Sequence, residues 1–338
     1  MSCNRFQYAL HFSIGLFAIS GCAASRLQNT EVYIRQQNWQ DARMALEEVT
    51  QLNPKDGEAH LLLAEVYGEL DRIPQMNATL GRIRSLSPKY EGAANYLASK
   101  YWIRNYKLGN LRFEERIYSE AVIHFHLAVQ IDSTNGTGWQ RLGDALFMRG
   151  SYGNAQKAYT AALKIDPRSL AMKHNLAQIY FLQKKYRDAV RLCDEILARD
   201  ESDFDALLRR AYSSDALGAF DEAKTDYLAA VTQMPSAQLL TDFALLHFKN
   251  EDYETAITLF EEALEFSPNN PLLYKHLGEA NWRIRDYQAM AGWYRKIVEV
   301  RPDALTGWKN LAVAYEALDQ KEHLAQARHY INRINSTN

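Results

Sequence analysis

WQRLGDALFMRGSYGNAQKAYTAALKIDP, residues 139–167, decides the fold. Within it Trp139, Leu142, Gly143, Phe147, Gly150, Tyr152, Ala155, Tyr159 and Ala162 lead to a closing Pro167. The same succession of large, small and aromatic residues recurs on both sides. The copies close at Pro54, Pro88, Ser133, Pro167, Glu201, Pro235, Pro268 and Pro302, at intervals of 34, 45, 34, 34, 34, 33 and 34 residues. A period of this length marks stacked supersecondary units that cannot bury their apolar faces alone. The apolar residues recur at helical spacing, so each unit is a pair of helices.

With the closing residue counted as position 32, position 8 holds Ala64, Gly109, Gly143, Ala177, Ala211, Ala244, Gly278 and Ala312. Position 20 holds Ala42, Met76, Ala121, Ala155, Ala189, Ala223, Ala256 and Met290, and position 17 holds Tyr118, Tyr152, Tyr186, Phe220, Tyr253 and Tyr287. Small residues at 8 and 20 let two helix axes approach where they cross. Proline at 32 stops the second helix, because it lacks an N–H and disfavours helix in the residue before it. Asp132, Asp166 and Asp200 near that position suit a turn and an N-cap. This spacing resembles the tetratricopeptide repeat (TPR) family over residues 28–338. The resemblance implies an all-α, right-handed superhelical solenoid of about nine helix-turn-helix repeats.

Composition agrees. Of 338 residues, 47% are apolar, ample for a core, and the 8 prolines mostly mark repeat ends. A formal net charge of −2 gives no broad basic surface, so no nucleic-acid partner is expected.

Residues 1–22, MSCNRFQYALHFSIGLFAISGC, combine Arg5, an apolar run from Tyr8 to Ile19 and the ending Ile19-Ser20-Gly21-Cys22. The run is short for a bilayer span and reads as a signal peptide. Its last four residues resemble the bacterial lipobox. That resemblance implies cleavage after residue 21, a lipidated Cys22 carrying diacylglycerol and an amide-linked acyl chain such as palmitate, and firm membrane attachment. Ala23, where aspartate retains lipoproteins at the inner membrane, favours the outer membrane facing the periplasm. The expected organisation is a signal peptide over 1–21, a short tether over 22–27, repeats 1 and 2 over 28–90 with the first truncated, an insertion over 91–106, and repeats 3–9 over 107–338 with a polar C-terminal capping helix.

The 45-residue interval exceeds the others by 11 residues, about three helical turns, which returns the chain to the same face. The added stretch around 92–106, GAANYLASKYWIRNY, is rich in aromatics. It reads either as a lengthened first helix projecting from one edge or as packing at a junction.

The TPR resemblance implies a concave groove lined by first-helix positions 2, 5, 9, 12 and 13. Position 12 holds Phe113, Phe147, Phe181, Asp215, Phe248 and Trp282, with Tyr212 at position 9 placed to fill the gap at Asp215. Polar neighbours are Asn110, Gln140, Asp144, His174, Gln178, Lys275 and Glu279. Rings so spaced suit an extended or helical peptide, or else pack on the adjacent pair. Lys275 has Glu279 where the chaperone-tail carboxylate clamp needs asparagine, so capture of a C-terminal carboxylate is not expected.

Chemistry is sparse. His124 and His126 point to different helix faces, and neither they nor His323 and His329 have zinc-pair spacing. Cys193, at large core position 24, reads as a small buried hydrophobe. No phosphate-binding, dinucleotide-binding, nucleophile-elbow or CxxC motif occurs. We therefore expect no enzyme, metal, cofactor or small-molecule substrate. The expected role is a membrane-anchored scaffold or adaptor for protein or peptide partners in the bacterial envelope. It is similar in plan to lipoproteins that assemble pili, secretion or cell-wall machines. A periplasmic holdase for unfolded envelope proteins is the alternative, and an enzyme subunit a remote third.

Overall fold

The computed structural model describes residues 30–337; the stretches expected to be a signal peptide and a tether, with Cys22, lie outside them. All regular structure among the described residues is helical, in consecutive packed pairs. The chain divides after Pro167 into two compact units. The first contains α1 (30–35), α2 (Trp39–Leu52), α3 (Gly57–Glu69), α4 (Ile73–Leu86), α5 (Glu91–Glu114), α6 (Tyr118–Ile131), α7 (Gly136–Met148) and α8 (Tyr152–Ile165). The second contains α9 (Leu170–Leu182), α10 (Tyr186–Leu197), α11 (Phe204–Leu217), α12 (Phe220–Gln233), α13 (Ala237–Lys249), α14 (Tyr253–Phe266), α15 (Pro271–Arg283), α16 (Tyr287–Val300), α17 (Leu305–Ala317) and α18 (Lys321–Thr337).

The small residues act as expected. Ala121, Ala155, Ala189, Ala223 and Ala256 at position 20 are fully buried. A Cβ on Gly143 would stand 2.7 Å from the Tyr159 ring, so the aromatic at position 24 lies across position 8 of its own repeat. In the fifth repeat position 24 is Cys193, fully buried, and burial pushes its thiol up to about 12. It is the inert core residue anticipated.

Two local features differ from the sequence reading. Asp132 and Asp200 do not N-cap the helices that follow them. Asp132 accepts from the Thr134 N–H at 2.9 Å and Asp200 from the Ser202 N–H at 3.0 Å, each closing a turn. The N-caps lie two to three residues later, at Asn135, Ser169, Asp203, Ser236 and Asn270. There a side chain can reach the free N–H groups of the next first turn.

The second feature has no sequence signature. Position 15 is left-handed in all nine repeats: Gln37, Asp71, Arg116, Gly150, Lys184, Gly218, Glu251, Arg285 and Asp319. In the fourth repeat the Gly150 N–H donates to Phe147 O and the Ser151 N–H to Leu146 O, both at 2.8 Å. These two bonds satisfy carbonyls left over at the helix end and reverse the chain into the second helix. Seven of the nine are not glycine and hold this conformation against the Cβ penalty. Gly150→Ala should therefore lower stability by about 1 kcal/mol, whereas Lys184→Gly should raise it despite the entropy glycine adds to the unfolded chain. Urea unfolding midpoints check both signs.

The long interval is occupied by a short 3-10 turn, Pro88–Tyr90, and the 24-residue helix α5. The added turns do not project. Ala94, Leu97 and Tyr101 are buried in the core formed with α3 and α4. Trp102 stacks on Tyr106 with centroids 4.8 Å apart. Of the aromatics in this stretch, Tyr96 alone is largely exposed, at 68%.

Candidate functional site

Positions 5, 9 and 12 of a first helix fall on one side of it, because they are separated by one and two turns. The rings at position 12 are half-buried, and each packs on the tyrosine at position 17 of its own repeat. Centroid separations are 5.4 Å for Phe113–Tyr118, 5.4 Å for Phe147–Tyr152, 5.8 Å for Phe181–Tyr186 and 5.3 Å for Phe248–Tyr253. These rings close the turn between the two helices of a repeat, which takes up one side of each. Trp282 differs: it is 42% exposed, with the Arg283 guanidinium over its face at 5.0 Å.

The polar residues divide in the same way. Asn110 Oδ1 accepts from Arg141 Nε at 2.8 Å, and Gln178 Oε1 accepts from Arg209 Nε at 2.9 Å. The Tyr212 hydroxyl donates to Asp242 Oδ2 at 2.7 Å. Each bond joins position 9 of one first helix to position 6 of the next, forming a rung across a repeat boundary. His174 Nε2 lies 3.0 Å from Oδ2 of Asp203, the N-cap of α11. Asp215, the gap in the aromatic series, pairs with Lys249 Nζ at 2.7 Å. Tyr212 sits beside that gap with its ring 6.3 Å from Phe181. Rungs of this kind contribute about 1 kcal/mol each, and they commit the side chains expected to meet a partner.

Arg141 also covers the Phe113 ring at 4.8 Å. Asp144, at position 9 of the fourth repeat, accepts from the Tyr159 hydroxyl at 2.6 Å. Burial raises its carboxyl above the usual range, and the pull of Tyr159 and Arg141 in the other direction does not overcome it. Gln140 is half-buried on α7. On α15, Lys275 and Trp282 are exposed and Glu279 half-exposed. On α17, Lys309 is exposed and Val313 is 46% exposed.

The sequence reading missed Arg141, Arg209 and Asp242 at position 6, and the pair that half-buried Arg210 makes with the buried Asp226. A polar residue at position 6 facing a polar residue at position 9 about 31 residues earlier is the signal that could have found the rungs. Among the described residues no group of three His, Cys, Asp or Glu side chains could hold a metal ion. No described helix is long and apolar enough to cross a membrane.

Helix pairs stacked in tandem, with first helices presenting a polar and aromatic stripe, define a helical-repeat interaction protein. Residues 33–100 and 146–211 match one tetratricopeptide repeat family model and residues 244–284 a second TPR model, together just over half of the chain. The chain belongs to the tetratricopeptide repeat family. Its repeats form a scaffold of the kind that binds protein or peptide partners.

Among curated proteins it is similar to a BBSome complex member from Bos taurus, 22% identical over 80% of this chain and 52% of that protein. It is also similar to anaphase-promoting complex subunit 6 from Arabidopsis thaliana, 27% identical over 49% of this chain and 32% of that protein. The chain thus spans about a third to a half of the length of these relatives. The C-terminal part of a TPR repeat-containing protein from Cytophaga hutchinsonii superposes on 69% of this chain and 96% of its own, with a TM-score of 0.61 at 17% identity, which shows the shared fold.

Proposed function

We propose that this chain is a lipid-anchored scaffold of the bacterial cell envelope that docks protein partners on the solvent-facing stripe of its first helices. The docking reading rests on one observation. Most of the stripe is committed to rungs and turn packing, whereas Lys275 and Trp282 on α15 are exposed, and among the described residues neither is hydrogen-bonded to another repeat. Two relatives carry names that place them in multi-protein complexes, which supports a scaffold. A holdase needs open apolar rings. Phe113, Phe147, Phe181 and Phe248 each have one side against a tyrosine, which favours the scaffold over that alternative.

The anchor is proposed at Cys22, from the order of charged, apolar and small residues before it. Acyl chains on one cysteine would hold the chain at the outer membrane on the periplasmic side. Growth with labelled palmitate, followed by fractionation, tests this. The wild type should carry label and pellet with outer membranes, and Cys22→Ala should lose both. Label-free protein in the soluble fraction of wild-type cells would defeat the anchor.

A further inference from the structure

A cleft opens in each unit at the same place in the repeat. In the first it lies between α6 and α8 over α7, with a volume of about 330 Å³. In the second it lies between α12 and α14 over α13, with a volume of about 500 Å³. Both clefts use positions 7 and 11 of the first helix, which face another side of it than positions 5, 9 and 12. They are therefore separate from the stripe described above.

The two clefts share a backbone plan and differ in charge. The first is floored by the buried Leu142 and Leu146, and its ionisable lining is wholly basic: His126, Arg149 and Lys157. Arg149 donates through Nε to Ser151 Oγ at 3.2 Å, and among the described residues no carboxylate stands within ion-pair distance of Arg149 or Lys157. The second cleft carries Glu254 and Glu262 against Lys224. An apolar slot flanked by uncompensated cations is complementary to a segment that offers large apolar side chains beside carboxylates.

We propose that the cleft between α6 and α8 is a second docking site, which takes an acidic, apolar peptide segment of a partner protein. An aliphatic or aromatic side chain seats on Leu142 and Leu146, and flanking Asp or Glu side chains reach Arg149 and Lys157. A flat bilayer cannot enter a slot between two helices. A phosphodiester backbone would satisfy the cations and leave the leucine floor uncovered. The site is independent of the first-helix stripe, so either can fail without the other.

The test selects a displayed random-peptide library on the whole protein, sets aside peptides that lose binding to the Lys275→Ala, Trp282→Ala variant as ligands of the stripe, and measures binding of the remaining winners by fluorescence anisotropy. Winners should pair acidic with large apolar residues, bind more weakly as salt rises, and lose about tenfold or more in affinity to the Arg149→Glu, Lys157→Glu double variant. They should bind the Lys275→Ala, Trp282→Ala variant unchanged. Both altered pairs are exposed, and circular dichroism confirms that each variant folds. Winners that bind the charge-reversed protein as tightly, winners without carboxylates, or the absence of any winner would overturn the proposal. So would phosphatidylglycerol vesicles or a single-stranded oligonucleotide that bind through Arg149 and Lys157 where no peptide does.

Discussion

Arg210→Ala should destabilise the second unit by about 3 kcal/mol or more. Arg210 on α11 holds Asp226 of α12 with two bonds, Nε to Oδ2 at 2.8 Å and Nη2 to Oδ1 at 2.7 Å. It also reaches Asp194 of α10 at 2.6 Å. Asp226 is 1% exposed, so removing the guanidinium leaves a carboxylate without its cation inside the repeat. Three helices are joined through one side chain, so hydrogen exchange should quicken across α10–α12 and spare the first unit. Position 7 is otherwise Leu142, Leu176, Phe243 and Leu277 in the fourth to eighth repeats, and position 23 is Ala158, Leu192, Leu259 and Trp293. Only the sixth repeat is polar at both. Restoring the apolar pattern with Arg210→Leu and Asp226→Leu together should recover most of the loss, because a buried ion pair replaced whole by apolar side chains is often neutral or stabilising. Equal losses in the single and double variants would show that the pair is not the unit of stability.

Tyr101→Ala should cost the first unit about 3–5 kcal/mol, and Tyr101→Phe about 1 kcal/mol. The Tyr101 ring is fully buried against Gly68 of α3, where a Cβ would come within 2.3 Å of it. Its hydroxyl lies 2.8 Å from Glu69 Oε1 and 2.9 Å from the Glu65 carbonyl. Lys100 and Arg104 flank the ring and pair with Glu69 at 3.3 and 3.1 Å, and Arg104 also contacts Asp71. Truncation to alanine opens a cavity and releases the α3–α5 clamp, whereas phenylalanine loses only the hydroxyl.

The same clamp has a pH signature. Burial raises the Glu69 carboxyl, but the Tyr101 hydroxyl, Lys100 and Arg104 outweigh it and hold the group below the usual range. That contribution is present at neutral pH and is lost as pH falls through the folded value. Burial lowers the Lys100 ammonium, and its pairs with Glu65 and Glu69 outweigh that and raise it. Its share is present below the ordinary lysine value and is lost as pH rises through the folded one. Urea midpoints of the first unit should therefore fall at both extremes, and Tyr101→Phe should flatten the acid side. An acid limb unchanged by that substitution would mean the clamp is not its source.

The repeat frame was legible because small residues at positions 8 and 20 answer to helix crossing, which admits few alternatives. The count of nine repeats was legible for the same reason, and position 15 confirms it by backbone shape alone. Its occupants range from Gln37 to Arg285, since tertiary packing rather than residue type imposes the left-handed turn. The insertion was legible as a helix but not in its placement. Whether Tyr101 faced solvent or Gly68 depended on a partner 33 residues away. The side chains expected to line a groove were not legible as engaged or free. Asn110, His174, Gln178 and Tyr212 looked available until the next repeat brought Arg141, Asp203, Arg209 and Asp242 against them.

The scaffold claim is tested most directly by crosslinking intact envelopes and capturing the lipid-anchored chain beside its Lys275→Ala, Trp282→Ala variant, with bound proteins quantified by mass spectrometry. A few proteins should be captured in near-stoichiometric amounts by the wild type and lost by the variant. The same proteins retained by both, or a broad unselective set captured by both, would contradict it.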